Sequence, residues 1–289
     1  MSVEQQSPAA PVSTPVDGVE VLGALSPSRA GDFLSCPLLY RFRTIDHLPE
    51  PPSPDAVRGT VVHKVLEDLF DLPAEQRTPD RARALLEPAF DLLAEQEPAL
   101  REMFAEDGPE AATWLASCRS VLERYFTLED PRRLEPAERE VYVETLLDSK
   151  LLLRGFVDRV DVAPDGAIRV VDYKTGRSPS EMFEAKALFQ MRFYALVIWR
   201  TRGVLPAMLQ LLYLGNGEML RYVPDERDLL ATERKVEAIW RAIRAAEETG
   251  DWLPNRGRQC DWCAHRAVCP AWGGTPPPLP VAEPADDAS

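Results

Sequence analysis

Asp158, Asp172 and Lys174 are the residues of this chain whose types and spacing best suit chemistry carried out together. They lie within Arg154–Gly176, RGFVDRVDVAPDGAIRVVDYKTG. Two runs rich in apolar and β-branched residues, Leu151–Val162 and Ala167–Tyr173, flank Ala163-Pro164-Asp165-Gly166, whose Pro and Gly are turn formers. The segment therefore reads as a β-hairpin. Asp158 falls on its first strand and Asp172 near the end of its second. Lys174 is two residues further on, so Asp172 and Lys174 point to one side of an extended segment. Two carboxylates and an ammonium converging on a sheet edge suit a hard divalent cation and a phosphodiester. A lone D-x-K is weak evidence, because solvated charges on a hairpin read the same way.

Three further groups carry chemistry. His63 stands beside an apolar stripe of helical spacing, Val62, Val65, Leu66, Leu69 and Phe70, and follows Gly59 by four residues. Glu67 lies one turn later on its face. Gln190 and Tyr194, four apart, share a face of a second helix. Cys260, Cys263 and Cys269 form C-x2-C-x5-C, three thiols that need a fourth ligand, and four thiolates suit zinc or an iron–sulfur cluster. His265 could complete the set, as could Cys36, which like Cys269 precedes a proline. Cys118 stands alone in a helical stretch and reads as a small buried apolar residue.

Taken together, Gly155-Phe156-Val157-Asp158-Arg159-Val160-Asp161, Asp172-Tyr173-Lys174-Thr175-Gly176, Gly59-x-x-x-His63 and Gln190-x-x-x-Tyr194 resemble the motifs of the RecB-like branch of the PD-(D/E)xK nuclease superfamily. The resemblance covers about Leu25 to Trp272, apart from a helical stretch. It implies a restriction-endonuclease-like α/β core, a mixed central sheet flanked by helices, in a protein that hydrolyses DNA. His63, Asp158, Asp172 and the main-chain carbonyl of Tyr173 would hold Mg²⁺ or Mn²⁺. Lys174 would position or help deprotonate the attacking water, and Gln190 and Tyr194 would orient the site. Iron–sulfur members of the family carry one cysteine before the first nuclease motif and three near the C-terminus. By that resemblance Cys36, Cys260, Cys263 and Cys269 would hold a [4Fe–4S] cluster clasping the C-terminus, with zinc as the alternative. The implied activity is exonucleolytic, on DNA single strands or free ends, in repair or recombination. Because the chain has no G-x-x-x-x-G-K-[ST] loop, unwinding would need a separate helicase. A catalytically silent DNA-binding module of a helicase–nuclease complex is the rival reading, and it has no chemical use for Lys174.

The elements that must position these residues follow in chain order. Residues 1–20, rich in Pro, Ser, Ala and Val, read as a disordered tail. Ser26 and Pro27 begin a helix carrying Phe33 and Leu34 inward. A short helical piece, Leu38–Ile45, interleaves Tyr40, Arg41, Phe42 and Arg43, a pattern that suits either packing or contact with a nucleic-acid strand. The nuclease domain spans residues 21–272, with a helical insertion at about 73–135 read as a lobe and a cysteine region at 256–272; residues 273–289 form a Pro-rich acidic tail. Val141–Leu147 pairs with Leu151–Val162 through Asp148-Ser149. Ser180 is a candidate cap for a long helix to about Arg202, on which Lys186 and Arg192 could contact phosphate. Ala207–Leu214 and Glu218–Val223 join through Gly215-Asn216-Gly217, and Asp225–Glu248 is a last helix, after which Arg256, Arg258 and Arg266 could face DNA.

With 289 residues and 45% apolar content the chain can bury a sizeable core. It has no apolar run long enough to span a membrane and no signal-peptide pattern, so the expectation is a soluble cytoplasmic protein. Five cysteines in such a chain favour metal binding over disulfides. The net charge of −14 opposes nucleic-acid binding only if it is spread evenly, and it is not. Glu75–Asp148 holds 9 basic and 18 acidic residues, whereas Arg169–Arg202, around the D-x-K lysine, holds 7 basic and 3 acidic.

Overall fold

The protein was analysed as a computed structural model, which describes residues 13–16, 19–97, 100, 103, 111–178 and 181–280. The chain divides into two compact units, residues 52–143 with 156–229, and residues 1–51 with 144–155 and 230–289.

The first unit carries the chemistry. Helix α3 (Pro54–Leu69) starts where the Ser53 hydroxyl accepts the Ala56 N–H and Pro54 takes the first helical position. Helices α4 (Pro79–Ala84), α5 (Leu86–Gln96) and α6 (Ala111–Leu128) follow. Strands β4 (Glu138–Leu146), β5 (Leu151–Val162) and β6 (Ile168–Lys174) precede helix α7 (Glu181–Arg202), strand β7 (Met208–Tyr213) and strand β8 (Glu218–Tyr222). The sheet order is β5-β6-β7-β8, with β4 also paired to β5. The sheet is mixed, as expected: β5 and β7 flank β6 antiparallel and parallel respectively, and β8 is antiparallel to β7. A parallel β6/β7 pair requires a long crossover, which α7 supplies. At the β5–β6 turn the Gly166 N–H bonds to the Ala163 carbonyl, and Gly166 sits at φ +86°, a conformation easy only for glycine.

The helices of the chain insertion pack on α3 in one shared core rather than as a body of their own. Val61, Val65 and Leu69 of α3, Leu86 of α5, and Cys118, Leu122 and Tyr125 of α6 form a continuous buried cluster with Val171 and Tyr173 of β6 and Leu212 of β7. Cys118 is fully buried, as its isolation suggested, and burial pushes its thiol up to about 11.

In the second unit β1 (Ser13–Val16) and β2 (Val19–Val21) pair antiparallel, so part of the stretch read as a disordered tail is ordered. Thr14, Val16 and Val19 are strand formers that the surrounding Pro and Ser obscured. The rest of 1–20 and residues 281–289 of the C-terminal tail lie outside the described residues, as does the Ser180 cap. Strand β3 (Gly23–Leu25) runs parallel to Leu151–Leu153 of β5. Helix α1 (Pro27–Ser35) is capped by Ser26. It buries Pro27, Ala30 and Gly31, while Leu34, expected inside, is 48% exposed. Helix α2 (Pro37–Tyr40) continues as a π-helix, Arg41–Ile45. Here packing wins over nucleic-acid contact. Tyr40 stacks on Trp252, Phe42 meets His265 edge-on, and Arg41 and Arg43 are paired to Asp46 and to Asp32 and Glu50. Residues 230 onward of helix α8 (Glu226–Thr249) complete this unit. No helix among the described residues is long and apolar enough to cross a membrane.

Candidate active site

The α3 helix brings His63 to the end of β6. Its Nε2 lies 2.9 Å from the main-chain oxygen of Tyr173. A carbonyl only accepts, so in the neutral ring Nε2 carries the proton and Nδ1 presents its lone pair. That Nδ1 is 3.6 Å from Asp158 Oδ1 and 3.7 Å from Glu140 Oε1. Ligand atoms of His63, Glu140 and Asp158 all lie within 4.8 Å of one another, so one nitrogen and two carboxylates converge, a donor set that suits a divalent cation. Asp158 Oδ2 accepts the Tyr173 N–H at 2.6 Å, which fixes the carboxylate against β6. Burial, reinforced by the neighbouring Asp172 carboxylate, pushes Asp158 up to about 7. Burial likewise raises Glu140. Carboxyl groups are thus crowded here, and a bound cation would relieve their repulsion.

Lys174, Asp172 and Gln190 close a triangle beside this set. Lys174 Nζ is 2.7 Å from Asp172 Oδ2 and donates to Gln190 Oε1 at 3.0 Å; Gln190 Nε2 donates to Asp172 Oδ1 at 3.1 Å. Tyr194, one turn along α7, hydrogen-bonds Gln190, and its burial raises the phenol well above its ordinary range. All the residues singled out for the site meet in this unit. His63, Asp158 and the Tyr173 carbonyl converge directly, whereas Asp172 is engaged by Lys174 and Gln190. Glu67 pairs with Lys64 at 3.0 Å and stands outside the converging donors. Lys186 is exposed, while Arg192 lies over the Tyr222 ring at 4.5 Å.

Two contributors escaped the sequence reading. Glu140 belongs to β4, and its φ of +42° is left-handed for a residue with a side chain. Strain of this kind persists where surroundings over-determine it and concentrates at functional sites. The other is Arg159, which is fully buried. It grips Glu129 with two bonds of 2.8 and 3.0 Å and donates to the Tyr173 hydroxyl at 2.7 Å. Gln210 of β7 joins Glu129 at 2.8 Å. This network ties β5, β6, β7 and the end of α6 together on the sheet face opposite Asp158. The alternation of β5, in which Arg159 follows Asp158 and must point the other way, was the available signal for it.

The four cysteines gather in the other unit. Cys36 lies between α1 and α2, and its sulfur accepts the Asn255 N–H at 3.3 Å. Asn255 and Gln259 side chains both donate to the Ser35 carbonyl, holding the C-terminal segment to this turn. Cys263 is raised by burial, with smaller contributions from Cys260, Cys269 and Cys36. His265 is buried, with Nε2 2.7 Å from Glu50 Oε1. Arg256 and Arg266 lie over the Trp272 ring, at 4.3 and 3.6 Å.

Comparison with known proteins agrees with this geometry. Residues 24–270 match the family model described as the PD-(D/E)XK nuclease superfamily. The Gene 69 protein of Mycobacterium phage D29 is 29% identical over 205 residues, 62% of this chain and 70% of that protein. One of the subunits of the ATP-dependent helicase/deoxyribonuclease of Streptococcus mutans is 27% identical over 162 residues, 55% of this chain but 14% of that protein. The crystal structure of a candidate exonuclease from Eubacterium rectale has the same fold, with a TM-score of 0.55 at 15% identity over 85% of this chain and 89% of that one.

Proposed function

The chain belongs to the PD-(D/E)XK nuclease superfamily, and we propose that it is a metal-dependent deoxyribonuclease that degrades single-stranded DNA from free ends. The observation that carries this reading is the meeting of His63, Glu140 and Asp158 beside a lysine held between Asp172 and Gln190. His63, Asp158 and the Tyr173 carbonyl, with Asp172 and Glu140, would hold Mg²⁺ or Mn²⁺. When bound, such a cation neutralises the phosphodiester and lowers the pKa of a water. Lys174 does the complementary work. An ammonium has three donors; Gln190 Oε1 accepts one and the Asp172 carboxylate lies beside the charge at 2.7 Å, so donors remain for a phosphate oxygen or the attacking water. Asp172 and Gln190 hold the Lys174 Nζ in place, so the lysine meets the developing negative charge without reorganising. Tyr194 holds Gln190 in turn.

We further propose that Cys36, Cys260, Cys263 and Cys269 hold a [4Fe–4S] cluster. His265, the alternative ligand for a zinc site, is buried with Nε2 2.7 Å from Glu50 Oε1, and the resemblance to iron–sulfur members of the family supports Cys36 as the fourth donor. The similarity to part of a helicase/deoxyribonuclease suggests that a separate helicase supplies single strands.

The test is digestion of 5′- and 3′-labelled single-stranded oligonucleotides by protein purified without oxygen, with Mg²⁺, Mn²⁺ or EDTA. Cutting should need the cation and should fall at least about 10²-fold in Lys174→Ala, the usual scale for losing a positioned proton-transfer or charge-stabilising group. Equal cutting by Lys174→Ala, or cutting in EDTA, overturns the mechanism. Binding without any cutting would favour a silent DNA-binding module.

A further inference from the structure

Glu140 and Tyr142 are alternate residues of β4, and Asp158 and Phe156 are alternate residues of β5. Side chains two apart on a strand share a face. The loop between these strands sets their register: Leu147 donates to the Leu151 carbonyl at 3.0 Å, with Lys150 at φ +61°. Counted from that pair, Tyr142 stands across from Phe156; further along, Ala137 donates to the Val160 carbonyl, a register one residue different, and Glu140 at φ +42° lies at that irregularity. The Tyr142 and Phe156 rings are indeed in contact, their centroids 5.3 Å apart and their planes inclined at 59°. Val143 and Val157, their chain neighbours on the opposite face, are buried, yet Tyr142 is 45% and Phe156 57% exposed. An aromatic pair is therefore open to solvent on the sheet face that carries the cation ligands. It lies one step of two residues away, about 7 Å along the strand.

We propose that Tyr142 and Phe156 form a stacking platform for one nucleobase of a single-stranded substrate, next to the phosphodiester held at His63, Glu140 and Asp158. This inference rests on the nuclease reading above and adds what the substrate touches besides its phosphate. A strand whose phosphate reaches the cation ligands must place a neighbouring base within reach of the rings, since a step of two residues is on the order of one nucleotide of extended strand. Exposure sets their roles: Phe156, the more exposed, offers a face for stacking, and the inclined Tyr142 ring supports it. Every base has a π-face, so such a platform is indifferent to sequence. It selects unpaired bases, because a duplex keeps its bases stacked on each other.

The discriminating experiment is an abasic scan. Single-stranded oligonucleotides with one abasic site at successive positions around the cut bond are compared in wild type, Phe156→Ala and Phe156→Leu, by kcat/KM with Mn²⁺ and by fluorescence anisotropy with Ca²⁺. One position should cost the wild type roughly 5- to 100-fold, the range for loss of one base–aromatic stack. In Phe156→Ala the intact oligonucleotide should weaken by a similar factor and the abasic penalty at that position should vanish. Phe156→Leu, which keeps apolar packing, should behave like Phe156→Ala while melting with the wild type. Equal tolerance of abasic sites at every position, or a penalty that persists in both variants, overturns the platform. If the wild type binds with this pattern but cuts nothing, the platform stands and the nuclease reading fails.

Discussion

At the scale of the residue, the site is a problem in crowding negative charge. Asp158 is enclosed between Asp172, Glu140 and a single histidine, and its carboxyl is pushed up to about 7, mainly by burial. An unfolded aspartate titrates near 3.9. The folded, cation-free protein therefore holds this proton more tightly than the unfolded chain does. Its stability is fully present below about pH 4 as far as this group is concerned, and is lost as pH rises through about 7. Melting in EDTA between pH 5 and pH 8 should show stability falling across that window, and Asp158→Asn should flatten the slope. Added Mn²⁺ binds the charged form, so the rise in Tm it produces should be larger at pH 8 than at pH 6. A cation effect equal at both pH values would mean that Asp158 is not among the ligands.

At the scale of the element, much of the arrangement was legible in the sequence, and the exceptions have physical causes. The β5–β6 hairpin, α7 and the β7–β8 hairpin announce themselves through turn residues and apolar periodicity, which act locally. Asp158, Asp172, Lys174, Gln190, Tyr194 and His63 were singled out because each falls at a fixed position within a motif of the resemblance. Glu140 was not. The sequence reading starts this strand at Val141, whereas β4 begins at Glu138, so Glu140, at a left-handed φ of +42°, fell outside the expected strand. The helices of the insertion looked like a separate lobe because their partners on β6 and β7 are distant in sequence. Arg159 is the clearest case: it reads as one more charge in a charged strand, but it clamps three strands to α6 beneath the site. Replacing it with methionine leaves Glu129 buried without its cation, a loss on the order of 3–5 kcal/mol. Chemical denaturation of Arg159→Met should record it, and the double variant Arg159→Met/Glu129→Leu should recover part of the loss. No recovery in the double variant would assign the effect to packing against Phe70 and Tyr173 instead.

At the scale of the whole molecule, acidity and clasping matter together. A chain of net charge −14 gains little from long-range attraction to DNA, so its affinity must come from a cation at the site and from short-range contacts. The proposed cluster addresses a different need, the tethering of sequence-distant segments. Cys36 and the C-x2-C-x5-C segment are neighbours in one unit although more than two hundred residues separate them, and polar bonds to Ser35 and Cys36 from Asn255 and Gln259 are the visible links. Exposed bonds of this kind contribute modestly, whereas a link that closes so long a loop removes much entropy from the unfolded chain. Cys36→Ser should therefore abolish iron retention and visible absorbance together, lower the Tm, and make the segment around residues 256–272 sensitive to protease. Cys118→Ala, made in a thiol that is buried among α3 and α6 side chains, should leave iron content untouched whatever it does to stability. Stoichiometric zinc in place of iron would keep the clasp but change its chemistry, while full iron retention in Cys36→Ser would remove Cys36 from the ligand set.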